Sequence, residues 1–202
     1  MSTPPLPLAP FLLQAHQLCG GPADAAVIQD LSHGWPAGLH GVCGDEGSGK
    51  TSLLRLLAGD LPARRGLVST PPGLVFWADF KGSEHDPTRV DDCWVQLQSR
   101  FPAWDHELLQ DLLQALDMER HRTKPLYMLS TGSRRKVMLI AALTSGATVT
   151  LIDQPFASLD QVSVRVIKSF LREAAQAKDR AWLLADYEMA ADLPVASVLE
   201  LP

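Results

Sequence analysis

Gly44-Asp45-Glu46-Gly47-Ser48-Gly49-Lys50-Thr51 is the stretch whose reading decides the fold. It has the form G-x-x-x-x-G-K-[ST], a backbone cradle for phosphate. Gly41-Val42-Cys43 in front of it has the composition of a buried strand's end, and Ser52-Leu53-Leu54-Arg55-Leu56-Leu57-Ala58 behind it that of a helix. Strand, loop and helix together are the context the motif requires. Gly44, Gly47 and Gly49 let the chain turn tightly and aim N–H groups at anionic oxygens. A helix start adds positive potential, carried here by Lys50, Thr51 and Ser52. Lys50 is suited to the β- and γ-phosphates and the Thr51 hydroxyl to Mg²⁺. The stretch therefore predicts a bound nucleoside triphosphate without saying to what end.

Composition sets the outer bounds. The chain has 202 residues, of which 46% are hydrophobic, enough for one sizeable core and one domain. The net charge of −5 argues against nucleic acid as a partner, since such partners call for a basic footprint. Cys19, Cys43 and Cys93 are odd in number and far apart, which suits a reducing compartment and neither a disulfide framework nor a metal knot. Cys43 reads as a small buried hydrophobe. No apolar run approaches the about 18–20 residues of a membrane span. The start, Met1 to Pro10, is proline-rich and lacks the positive region of a signal peptide.

Working outward, Phe11–Leu18 and Ala25–Leu31 are predicted strands joined by a turn through Gly20, Gly21 and Pro22. Gly38–Cys43 leads into the phosphate loop. The helix after Lys50 is expected to stop near Gly59 and Pro62. Gly66–Ser69 and Leu74–Trp77 are further strands, separated by Pro71-Pro72-Gly73. The texture changes at Lys81. Val90 to Arg100 has helical spacing, and Asp105 is placed to cap a helix whose Leu108, Leu109, Leu112, Leu113 and Leu116 share a face. Trp77, Trp94 and Trp104 belong to this region, as core residues or as a docking surface. From Val137 strands and helices alternate again: Val149–Ile152, Val162–Ala177, Arg180–Asp186 and Val198–Leu201.

Two further motifs follow the phosphate loop. Val149-Thr150-Leu151-Ile152-Asp153 is a strand buried on both faces that ends in an acid. Asp153 at its carboxyl end faces the ligand edge of an open α/β sheet, where it can hold Mg²⁺. Leu129-Ser130-Thr131-Gly132-Ser133 precedes a long apolar helix. A serine-capped helix start exposes N–H groups to an anion. The following Arg134-Arg135-Lys136 reads as a solvated helix face near phosphate rather than a nucleic-acid patch.

In this order the motifs resemble those of the ATP-binding-cassette (ABC) ATPases, over essentially the whole chain from Phe11 to Leu201. Gly44–Thr51 is similar to Walker A, Leu129–Ser133 to the signature and Val149–Asp153 to Walker B. Pro155-Phe156-Ala157-Ser158-Leu159-Asp160 is similar to the D-loop. Phe101-Pro102-Ala103-Trp104-Asp105 and the leucine-rich helix after it resemble small bacterial exporter and haem-exporter-like cassettes. The resemblance implies an α/β P-loop NTPase fold: a RecA-like mixed-sheet core over residues 11–81 and 134–202, N-terminal antiparallel strands, and a small helical subdomain over about 82–133. It also implies ATP and Mg²⁺, with Gly44 to Ser52 at the phosphates. A second copy would meet them head to tail with its Ser130, Thr131 and Gly132. Integral membrane permease subunits would be the other partners, with the chain cytoplasmic and peripheral at the inner face of the cell membrane.

Four positions depart from the family. Gln154 stands where a glutamate usually acts as general base, and an amide orients water but does not take its proton. General-base catalysis contributes about 10²–10⁴-fold, so ATP is expected to be bound far better than it is hydrolysed. Gln154 is either natural, in a slow or degenerate cassette, or an introduced Glu→Gln change that traps the ATP-bound dimer. Asp186 occupies the place of the switch histidine, where its charge repels phosphate, holds water or Mg²⁺, or only caps a turn. Asp79 is the nearest equivalent of the Q-loop glutamine and a candidate for Mg²⁺ or water. No aromatic lies in Leu18–Ala26 to stack on adenine, which leaves GTP as an alternative to ATP. The rival readings are a soluble cassette ATPase without a membrane partner and a nucleotide sensor that does not turn over.

Overall fold

The computed structural model describes residues 11–22, 27–70 and 74–202. The expected N-terminal tail, the start of the second strand at Ala25-Ala26 and the Pro71-Pro72-Gly73 separator lie outside the described residues.

Apolar runs with no polar alternation predict strands covered on both faces, and three such strands form the centre. β3 (Gly38–Cys43), β6 (Val149–Asp153) and β7 (Ala181–Ala185) are buried along their whole length. With β5 (Val75–Phe76) and β8 (Ser197–Glu200) they make a parallel sheet of order β5-β6-β7-β3-β8. A separate antiparallel sheet, order β2-β1-β4, joins β1 (Leu13–Gly20), β2 (Ile28–Trp35) and β4 (Arg65–Ser69). The two strand senses therefore segregate into two sheets. β1 and β2 run further than the sequence expectation, Leu13 to Ala15 pairing with His33 to Trp35; β1 bulges at Gln17, where φ is 48° and the Ser32 hydroxyl accepts from the Gln17 N–H at 2.9 Å.

Alternation along the parallel strands sorts the core into two layers. Val42, Val149, Leu151, Leu183 and Ala185 face α1 (Lys50–Ala58) and the antiparallel sheet. Leu39, Ile152, Trp182 and Leu184 face the other helices: α2 (Val90–Gln98), α3 (His106–Ala115), α4 (Thr131–Thr144) and α5 (Gln161–Ala174). The Trp94 indole donates to Val137 O at 3.0 Å and ties α2 to α4. Asp105 caps α3 as expected, accepting from the Leu108 N–H at 2.9 Å, and the leucine face beyond it is buried apart from half-buried Leu108. Trp94 and Trp104 are core residues, whereas Trp77 is half-buried.

Candidate functional site

The parallel register sets out the site. Val42 on β3, Ala185 on β7 and Asp153 on β6 stand in line across three strands. Strands are spaced about 4.8 Å apart, so the chain leaving β3 and the acid ending β6 flank the exit of β7. The loop after β3 turns into α1 at Gly49, whose φ of 98° is left-handed and free of strain only for glycine. Gly49 has no side chain with which to cap the helix, so the first N–H groups of α1 are left for an external acceptor. Ser48 Oγ is buried without a hydrogen-bond partner among the described residues. A phosphate oxygen matches both features.

Lys50 is buried, and its ammonium group donates to Gly44 O and Asp45 O, each at 2.6 Å. The Tyr187 ring covers the same ammonium, 4.8 Å from its centroid. Thr51 Oγ1 donates to Asp153 Oδ2 at 2.9 Å. One hydroxyl and one carboxylate in contact suit Mg²⁺, which is usually held by one or two protein oxygens together with substrate phosphates and water. Around this pair lies a cleft of about 380 Å³ that Glu46, Gly47, Gly49, Ser52, Gln154 and Tyr187 also line.

Gln154 sits in the left-handed region, at φ 49°. Its N–H donates to Ala185 O at 2.7 Å. From below, Arg135 Nη1 donates to Asp153 O at 2.9 Å and to Gln154 O at 2.7 Å. Arg135 therefore fixes the turn that carries both the acid and the amide. Arg134 donates to Phe80 O, Gly82 O and the Asp86 carboxylate, and Lys136 to Leu116 O and Asp160. The expected solvated face is instead three clamps on neighbouring segments. A run of cations carries no sign of its long-range acceptors, so pattern reading missed this role.

Asp186 follows β7, and its N–H donates to Val42 O at 3.1 Å. Burial pushes its carboxyl above the usual carboxylate range; the charge of Asp153 adds to that, while the Tyr187 N–H, Lys50 and Arg135 oppose it. Asp186 accepts from the Tyr187 N–H at 2.8 Å, and Tyr187, rather than Asp186, lines the cleft. The exposed Asp79 accepts from the Lys81 N–H at 2.9 Å and lines an adjoining cleft of about 370 Å³ that shares Asp153 with the first and is also lined by Thr131. From that side Lys81, which the sequence reading passed over, brings its ammonium to 3.4 Å from Asp153 Oδ2.

Ser130 caps α4, its hydroxyl accepting from the Ser133 N–H at 3.1 Å. Ser130, Thr131 and Gly132 do not line the phosphate-loop cleft of their own chain. Gly132 has a local reason to be glycine, since a Cβ there would fall 2.4 Å from Ser158 O.

Residues 29–157 match the family model described as ABC transporter. Among curated proteins, the chain is 30% identical over 192 residues to the cytochrome c biogenesis ATP-binding export protein CcmA of Rhodobacter capsulatus, covering 94% of this chain and 87% of that one. It is 25% identical over 185 residues to the manganese transport system ATP-binding protein MntB of Bacillus subtilis, covering 81% of this chain and 72% of that one. Among solved structures, an ABC transporter ATP-binding protein from Pyrococcus furiosus superposes with a TM-score of 0.72 at 20% identity, over 94% of this chain and 96% of that one. At that identity the likeness speaks for the fold.

Proposed function

The chain belongs to the ABC transporter family, and from that premise we propose that it is the ATP-binding subunit of a membrane transporter. In this reading two copies clamp ATP and Mg²⁺ head to tail. Lys50, the loop N–H groups and Ser48 hold the phosphates of one copy. Thr51 and Asp153 hold Mg²⁺, which supplies charge neutralisation at the β- and γ-phosphate oxygens. Ser130 and the start of α4 come from the other copy. The observation that carries the reading is the division of the motifs: Lys50, Thr51 and Asp153 share one cleft, and the capped start of α4 lies outside it. The Ser130 side chain takes up the Ser133 N–H, and the Thr131 and Gly132 N–H groups at this helix start are left for a second copy.

Hydrolysis is slow in this reading. Gln154 lines the cleft beside Asp153 and can orient a water, but it has no basic oxygen to accept the proton. The membrane subunits dock at the groove of about 610 Å³ beside the Asp79 loop, which Trp77, Phe80, Gln96, Leu97 and Arg100 line. No helix among the described residues is long and apolar enough to cross a membrane. On this account the chain works as a peripheral protein at the cytoplasmic face, and the cargo is chosen by the membrane subunits.

The test is ATP turnover of the chain and of Gln154→Glu, each expressed with its neighbouring membrane proteins and purified in detergent. Turnover is expected to rise by about 10²-fold or more in the glutamate variant, with a multi-span protein retained. Equal turnover refutes the role given to residue 154, and retention of soluble proteins alone refutes the membrane partnership.

A further inference from the structure

The loop after β5 is built more firmly than its exposure suggests. Asp79 Oδ1 accepts from the Lys81 N–H at 2.9 Å, a side-chain turn that sets the backbone at Lys81. One guanidinium, that of Arg134, bonds the carbonyls on either side, Phe80 O and Gly82 O, and is itself anchored on Asp86. Held on both flanks, Lys81 extends a side chain 57% exposed toward an Asp153 side chain only 9% exposed. The two charges lie 3.4 Å apart, at Oδ2. That oxygen already accepts the Thr51 hydroxyl at 2.9 Å.

The same carboxylate is the one that fits Mg²⁺. A divalent cation on Asp153 and an ammonium group on the same oxygen repel each other, all the more in a half-dry site. The flexible four-carbon stem of a lysine, more than half exposed here, allows it to move away into solvent. We propose that Lys81 is a built-in monovalent substitute at the metal position: when no divalent cation is there it neutralises Asp153 and so eases the approach of phosphate, and it gives up that oxygen when a divalent cation arrives. The consequence is thermodynamic. Lys81 competes with Mg²⁺ and also favours metal-free nucleotide, so it weakens the coupling between the two. Nucleotide affinity in this chain is then less dependent on Mg²⁺ than it would be with a neutral residue at position 81.

This inference rests on the phosphate-loop reading above, and the test separates the two. ATP is titrated calorimetrically into the full chain, Lys81→Met and Lys81→Arg, each in EDTA and in excess MgCl2. Methionine keeps most of the stem and removes the charge. The ratio of the dissociation constant in EDTA to that in Mg²⁺ is expected to rise about fivefold or more in Lys81→Met and to stay near the parent value in Lys81→Arg. A ratio unchanged within twofold in Lys81→Met, with ATP still bound, overturns the role of Lys81 alone. Absence of ATP binding to the parent chain in both buffers overturns the phosphate-loop reading and this role with it.

Discussion

Replacing Arg135 with methionine tests whether the cation run at the start of α4 is solvent-facing or structural. In the structure Nη1 alone donates to Asp153 O at 2.9 Å and Gln154 O at 2.7 Å. A hydrogen bond from a charged donor contributes about 1.5–3 kcal/mol. Two acceptors sharing one nitrogen count for less than two such bonds, so about 2 kcal/mol is assigned to the pair. The substitution also leaves Asp153 O and Gln154 O without this charged donor at the end of a buried strand, which adds up to about 1 kcal/mol, whereas the left-handed φ of 49° at Gln154 adds nothing to the loss. Methionine retains the apolar stem, so packing is largely kept. The expected loss is about 2–3 kcal/mol. For a chain of this size each kcal/mol lowers Tm by about 2–4 °C, giving a fall of about 4–12 °C. Differential scanning calorimetry in the absence of nucleotide reads it directly. A solvated arginine would cost less than about 0.5 kcal/mol. A Tm within about 2 °C of the parent therefore refutes the clamp.

Gly132→Ala is expected to destabilise by about 1–3 kcal/mol, read by urea unfolding, because its Cβ would stand 2.4 Å from Ser158 O and the D-loop would have to move; unchanged stability would show that the loop yields freely. Asp186→Asn is expected to raise Tm at neutral pH. The folded state raises the Asp186 pKa, so its ionised form is penalised there. The gain is full above the raised value, shrinks as pH falls through it, and vanishes below the ordinary carboxylate range; a gain that persists at pH 3 contradicts this cause.

Features that depend on a short stretch were legible in the sequence. The phosphate loop, the buried strand ending in Asp153, the Asp105 cap and the Ser130 cap each rest on residues within one turn or one strand, and each stands where the pattern puts it. What was not legible depends on partners far along the chain. Arg134, Arg135 and Lys136 look like any exposed basic run until Phe80, Asp153 and Asp160 are brought to them. Matching by position pointed to Asp79 and Asp186, but loop geometry turns Asp79 to its own backbone neighbour and lays Tyr187 over Lys50. A one- or two-residue offset in a loop changes which side chain reaches the site, and hydrophobic periodicity does not encode it. The extension of β2 to Trp35 went unread because Ser32-His33-Gly34 lacks apolar alternation; pairing with β1 supplies the order instead.

In the proposed assembly ATP joins two copies of this chain through the loop of one and the α4 start of the other. Its most direct measurement is the solution mass by light scattering with and without Mg²⁺ and ATP, for the parent chain and for Lys50→Ala. The parent chain is expected to be a monomer that becomes a dimer on adding ATP, and the Lys50→Ala chain to stay monomeric. A parent chain saturated with ATP and still monomeric would contradict it.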